Sequence, residues 1–289
     1  MDAGGLTQTD VQVHGVRSTV LVGGPSSAEA AVVFVHGSAG SGRDWEALMS
    51  KVSTFARCVA PDMPGYGDAD KPEDFDYTTE GYARHLGAVL DALAVRRAHL
   101  VLHDLGGPWG LAWAAADPAA LASLSLINIG SLPGYRWHRF ARIYRRPILG
   151  EILLASTTRP GIALVLRQGN PRGLPGSFID HVARQYRDAR TRRAVLRFYR
   201  ATPDLGAVTE LAAMSLREVS PPTLVIWGAR DPYIPVRYAE AQRQYFPGAE
   251  IVILPRSGHW PFVDDPEGVA DALLPFLRLQ LPNRADSRG

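Results

Sequence analysis

The chain has 289 residues, of which 46% are hydrophobic and 21% charged, and a formal net charge of +2. That length suits one large domain carrying an insertion rather than two independent domains, and the composition excludes a disordered chain. So small a net charge gives no case for nucleic acid as a partner, and the lone cysteine, Cys58, excludes a disulfide framework and a multi-cysteine metal site.

Residues 1–10 are polar and lack the basic start and apolar run of a secretory signal. No stretch of about 18 apolar residues occurs, so no membrane span is expected and the chain reads as cytoplasmic. Residues 11–22 alternate well enough to predict two short strands turning at Gly15. The apolar run 31–35 reads as a buried strand. A helix is predicted over 45–52 and a strand over 57–60, where Cys58 is expected as a small core residue. The stretch DMPGYGDADKP, 62–72, is a turn-rich loop, and 79–93 has helical spacing with Tyr82, Leu86, Val89, Leu90 and Leu93 on one face.

AHLVLHD, 98–104, is the next strand, followed by a helix over 105–117 and a strand over 121–129. Strands PTLVIWG and AEIVILP and a helix over 269–279 come much later. Strand and helix alternate, which implies a mostly parallel sheet covered on both faces. The alternation is interrupted from 129 to about 217 by a helical pattern broken at Pro160-Gly161 and GNPRGLPG. Residues 131–200 contain 15 arginines against Glu151, Asp180 and Asp188. This stretch reads as a helical cap, giving a core of 1–130 and 216–289 and an insertion of 131–215. The last residues, PNRADSRG, look frayed.

Chemistry enters at LVLHDLGGPWG, 100–110. An apolar strand runs into one polar residue, then small residues, then a helix, which is the pattern of a nucleophile elbow. Asp104 stands where a serine is familiar, and the helix N-terminus behind it favours negative charge. VIWGARDP presents Asp231 after a later strand, and LPRSGHWPFVDDP presents His259 after the last one. Nucleophile, acid, histidine is the order of α/β-hydrolases. Upstream, VFVHGSAG matches an oxyanion loop, in which the N–H of Ser38 converges with that of Leu105.

Together these motifs resemble the α/β-hydrolase superfamily over the whole chain. Asp at the elbow followed by Gly-Gly resembles the branch holding epoxide hydrolases and haloalkane dehalogenases. The resemblance implies an α/β-hydrolase fold, in which a mostly parallel sheet is flanked by helices and topped by an inserted helical cap. It implies Asp104 as nucleophile, His259 as base and Asp231 as its orienting partner, with no metal and no cofactor. A carboxylate suits attack on an sp³ carbon because it forms an ester, which water can cleave, whereas a serine would leave an ether. Epoxide hydrolases also use two cap tyrosines as proton donors. AVLRFYRA resembles their second-tyrosine motif at Tyr199, and Tyr144 is preferred to Tyr135 for the first.

Four positions depart from the patterns: Leu102 stands where a small residue is usual at the elbow, Ala69 replaces a serine, Ala39 replaces the proline of H-G-x-P, and Leu105 stands where dehalogenases carry a halide-binding Trp and many epoxide hydrolases also carry Trp. The expected reaction is epoxide to vicinal diol, with dehalogenation by the same ester intermediate as the alternative. A non-hydrolytic ligand-binding or lyase-like member of the fold is the reading from another class. The expected substrate is a small molecule with an apolar body, and a homodimer is left open.

Plainer roles compete at several positions. Asp104 alone would be a helix cap and Asp231 a turn residue. His36 and His103 are expected to make structural hydrogen bonds, Asp264 and Asp265 to cap the last helix, and Trp109 and Trp113 to fill the core. Arginine is also simply this chain's basic residue of choice, since only Lys51 and Lys71 occur.

Overall fold

A computed structural model describes residues 5–281, and the expected frayed tail, 282–289, lies outside them. Eight strands form one sheet: β1 (Thr7–Val13), β2 (Val16–Gly23), β3 (Ala30–Val35), β4 (Cys58–Pro61), β5 (Arg97–His103), β6 (Leu121–Ile127), β7 (Thr223–Gly228) and β8 (Glu250–Leu254). Their spatial order is β1-β2-β4-β3-β5-β6-β7-β8. The β1–β2 and β2–β4 pairs are antiparallel and all others parallel. The first hairpin turns at His14 and Gly15, both at positive φ (51° and 78°), the combination a two-residue type I′ turn demands. β1 starts at Thr7, four residues before the apolar alternation that predicted it, because its polar outer end still pairs with β2.

The central strands β3 and β7 are buried almost throughout, which is why they read as continuous apolar runs rather than alternating ones. Successive residues feed opposite layers: Val33, Val35, Leu100 and Leu102 pack into one core, while Val32, Phe34 and Val101 pack into the other. The helices are α1 (Glu46–Val52), α2 (Thr79–Ala92), α3 (Gly106–Ala116), α4 (Arg139–Tyr144), α5 (Leu149–Ala155), α6 (Arg159–Gly169), α7 (Gly176–Arg187), α8 (Ala189–Ala201), α9 (Leu205–Arg217), α10 (Arg237–Ala241), α11 (Pro261–Asp264) and α12 (Pro266–Gln280). α2 and α3 cover one face and α1 and α12 the other. α4 to α9 all fall between β6 and β7. α4, α5, α7 and α8 pack on one another, whereas α9 returns to lie along α3.

The strand order places the site. From β3 the chain passes to β4 on one side and to β5 on the other, so the loops after β3 and β5 diverge from neighbouring strand ends. Such a switch point opens a crevice at the C-terminal edge of a parallel sheet. Val35 and Leu102 are register partners there, one at the end of β3 and the other one residue short of the end of β5. β6, β7 and β8 add outward in order, so the loops after β7 and β8 open on the same edge.

Candidate active site

Asp104 follows β5 and precedes α3, and its backbone is left-handed, at φ 47°. That conformation is uncommon for a residue with a side chain, and the turn is held by close packing around it. A Cβ on Gly106 would overlap the carbonyl oxygen of Val35, and one on Gly37 would overlap the Asp104 carboxyl. Only glycine at these two positions lets the elbow settle against the loop after β3. The result is a direct contact, since the N–H of Ser38 donates to Asp104 Oδ2 at 2.9 Å.

His259 lies on the loop between β8 and α11. Its Nδ1 is 2.7 Å from Asp231 Oδ2, and its Nε2 is 3.8 Å from Asp104 Oδ1. The second distance is too long for a direct hydrogen bond, so Nε2 remains free to engage a water beside the Asp104 carboxyl. The two carboxylates differ in access. The Asp104 side chain is 14% exposed and lines the cavity, whereas that of Asp231 is 0% exposed. Only Asp104 can meet a substrate.

Asp231 is held from three further sides. Its Oδ1 accepts from the N–H groups of Tyr233 and Ile234, and its Oδ2 also accepts from Asn128 Nδ2 at 2.7 Å. Asn128 was not singled out in the sequence. It is a polar residue between Ile127 and Ile129, just past the end of β6, and that position is the only cue the sequence offers. Burial works against charge on His259, but Asp231, by its charge and its hydrogen bond, together with Asp104, outweighs burial and holds the imidazole above its ordinary value. Burial pushes the Asp104 carboxyl up, opposed by His259 and by the N–H groups of Ser38 and Leu105.

The neighbouring histidines are structural. His36 Nε2 accepts from the N–H of Met63 while Nδ1 meets the carbonyl of Gly37, which fixes the neutral tautomer, and burial depresses its pKa to about 4. His103 Nε2 meets the backbone carbonyl of His259 at 2.8 Å. Asp265 caps α12 as expected, but Asp264 does not. Its Oδ2 accepts from the N–H of Gly258 and so braces the His259 loop, because α11 turns its side chain inward. Trp109 is fully buried and stacked on Tyr82, and Cys58 is a buried core residue.

Above the carboxyl lies a cavity of about 280 Å³. Asp104, His259 and Ser38 form its floor, and the inserted helices supply walls rich in Leu, Ile and Val. Both expected tyrosines reach it: Tyr144 from α4 and Tyr199 from α8, with ring centres 5.4 Å apart. Burial pushes both phenols far above their ordinary value, and the charge of Asp104 adds to the effect on Tyr199. The Tyr199 hydroxyl has no hydrogen-bond partner among the described residues, whereas that of Tyr135 donates to the carbonyl of Tyr233. Tyr186 of α7 also lines the cavity and was not anticipated. Its phenol is pushed up to about 12 by burial. Among the described residues, no group of His, Cys, Asp and Glu could hold a metal ion.

The alpha/beta hydrolase family matches the chain over residues 32–272. The chain belongs to this family. Similar proteins include a haloalkane dehalogenase of Mesorhizobium japonicum, 33% identical over 65% of this chain and 62% of the relative. A cis-3-alkyl-4-alkyloxetan-2-one decarboxylase of Shewanella oneidensis is 27% identical over 85% of this chain and 81% of its own. Among solved structures, the haloalkane dehalogenase DatA of Agrobacterium tumefaciens matches with TM-score 0.80 at 23% identity, covering 96% of this chain and 98% of the other. The epoxide hydrolase CorEH matches with TM-score 0.81 at 17% identity, covering 96% and 100%. At such identities the structural likeness is one of fold. This alpha/beta hydrolase therefore carries its Asp–His–Asp constellation on the loops where the fold concentrates its chemistry, after β5, β7 and β8.

Proposed function

We propose that this hydrolase adds water to an epoxide, giving a vicinal diol through an ester on Asp104. The observation that carries the reading is the pair of phenols, Tyr144 and Tyr199, lining the cavity that Asp104 opens into. An Asp104 oxygen attacks one epoxide carbon, the C–O bond opens, and a phenolic proton passes to the departing oxygen. A phenol is neutral at working pH and can donate to an incipient alkoxide. His259 then takes a proton from a water that attacks the carboxyl carbon of Asp104. The N–H groups of Ser38 and Leu105 hold the tetrahedral oxyanion. Collapse releases the diol, and the proton on His259 restores the phenol. The inserted helices α4 to α8 would thus supply the acid and the core the nucleophile and base.

Dehalogenation through the same ester is favoured by the Mesorhizobium relative. It asks for N–H donors at the halide. Leu105 offers no side-chain donor, and the Trp137 indole is already given to the carbonyl of Thr202. A lyase reading is favoured by the oxetanone decarboxylase relative. Repeated turnover in heavy-oxygen water separates the readings. Either hydrolysis leaves label in the Asp104 carboxyl, and parallel epoxide and haloalkane panels then distinguish the leaving group. Turnover with no label in the peptide containing Asp104 would end the ester mechanism.

A further inference from the structure

We propose that the outer face of α5 and α6 docks the enzyme on an anionic lipid surface, with the mouth of its cavity turned to the lipid. The inference stands whichever leaving group the site takes, because it rests on the surface around the opening. Four large apolar side chains are exposed there: Ile148 (70%), Leu149 (48%), Ile152 (59%) and Leu164 (61%). Ile148 immediately precedes α5, and its carbonyl accepts from the N–H of Ile152, so both belong to the first turn of that helix. Isolated apolar residues on a surface need no explanation, but three within five positions, Ile148, Leu149 and Ile152, on a helix that also lines the cavity, do.

The cavity comes to the surface at the same place. Ser156, Thr158 and Gly161, at the junction of α5 and α6, are exposed and also line it. Leu153 and Leu154 of α5 and Ile162 and Leu166 of α6 face the cavity, so the other sides of both helices face outward around one opening. The helices are bent 103° to each other, and no single helix among the described residues is long and apolar enough to cross a membrane. Such a pair can rest on a bilayer without spanning it.

Charge selects the occupant. Arg142 and Arg146 lead into α5 and Arg167 lies one turn beyond Leu164. All three are exposed and have no carboxylate partner among the described residues, whereas nearby Arg159 and Arg200 are paired with Asp180 and Glu151. Unpaired arginines beside exposed isoleucine and leucine suit a surface that is anionic outside and apolar beneath. A second copy fits less well, since a twofold contact through this face would bring the unpaired arginines of both copies into one interface whose nearby carboxylates, Asp180 and Glu151, are already paired. An apolar substrate dissolved in the bilayer would then reach Asp104 without crossing water.

The test is co-sedimentation with phosphatidylcholine vesicles with and without phosphatidylglycerol. Retention is expected on the anionic vesicles and should weaken as salt rises. Each arginine is worth roughly a fivefold change in partition, so Arg142→Gln with Arg146→Gln should cost about 25-fold. Ile152→Ser should weaken retention on the same vesicles, while Arg190→Gln, on α8 and paired with Asp188, should leave it unchanged. Three results would each overturn the proposal: no dependence on phosphatidylglycerol, retention indifferent to the arginine and isoleucine variants, or a vesicle-free dimer dissolved by Ile152→Ser.

Discussion

Asn128 donates to the same Asp231 oxygen that receives the Nδ1 of His259, each at 2.7 Å. Its own Oδ1 accepts from the N–H of Gly228, at the end of β7, so one amide ties β6, β7 and the orienting carboxylate together. Asn128→Ala should lower kcat about tenfold with little change in KM, because Asp231 loses a fixed donor while the cavity is untouched. It should also cost ~1–3 kcal/mol of stability, since the Gly228 N–H is left buried and unpaired. Steady-state kinetics with urea unfolding of the same preparation reads both. An unchanged kcat would remove the positioning role.

The phenols separate the two leaving groups. Tyr199→Phe is expected to slow epoxide opening by roughly 10²–10⁴-fold, and the double variant with Tyr144→Phe by more. A halide leaves without a proton, so any haloalkane turnover should survive the same changes. Rates of single-turnover ester formation on both substrate types make the comparison.

If Asp104 forms the proposed ester, removal of His259 should trap it. In His259→Gln, Asp104 keeps its access to the cavity and its contact with Ser38 but has no group to activate water. The variant should gain one substrate mass per chain on mixing and release product only slowly. Intact-protein mass spectrometry reads it directly, and a second change, Asp104→Asn, should abolish the adduct.

The pH profile follows from the direction of the His259 shift. Its pKa lies above the ordinary histidine value because Asp231 and Asp104 outweigh burial, and the second step needs the neutral imidazole. Ester formation removes the charge of Asp104, so hydrolysis of the ester should fall tenfold per pH unit below a midpoint lower than the pKa of the free enzyme's imidazole. Asp231→Asn removes the largest cause of the rise, so the midpoint should move down while the plateau rate drops.

Stability has a separate pH dependence at Asp44. Burial raises this carboxyl to about 8. It accepts from the N–H of Ser41 and faces His181 of α7 at 3.6 Å, and Asp62 and Glu46 add like charge. Between about pH 4 and 8 the folded chain holds a proton that the unfolded chain has lost. Unfolding free energy should therefore fall with rising pH over that window, by up to ~1.4 kcal/mol per unit. Asp44→Asn keeps an acceptor for Ser41 and should flatten the slope, raising stability at pH 8 but not at pH 4. Denaturant midpoints at the two pH values decide it.

The sequence by itself determined the scaffold and the order of its parts. Strand runs such as those ending at Val35 and Gly228 are legible because parallel strands buried on both faces are almost wholly apolar. The elbow is legible because a left-handed turn at Asp104, packed against Val35 and Gly37, requires small residues at fixed offsets. Contacts between segments far apart in the chain left no such local mark. Asn128 meets Asp231 across 103 positions, and Asp264 supports Gly258 instead of capping a helix. Tyr186 joins the cavity wall only once α4 to α8 have packed. Propensity and periodicity act within a few residues, whereas a hydrogen bond or a cavity wall is set by where the sheet and its inserted helices bring distant side chains together.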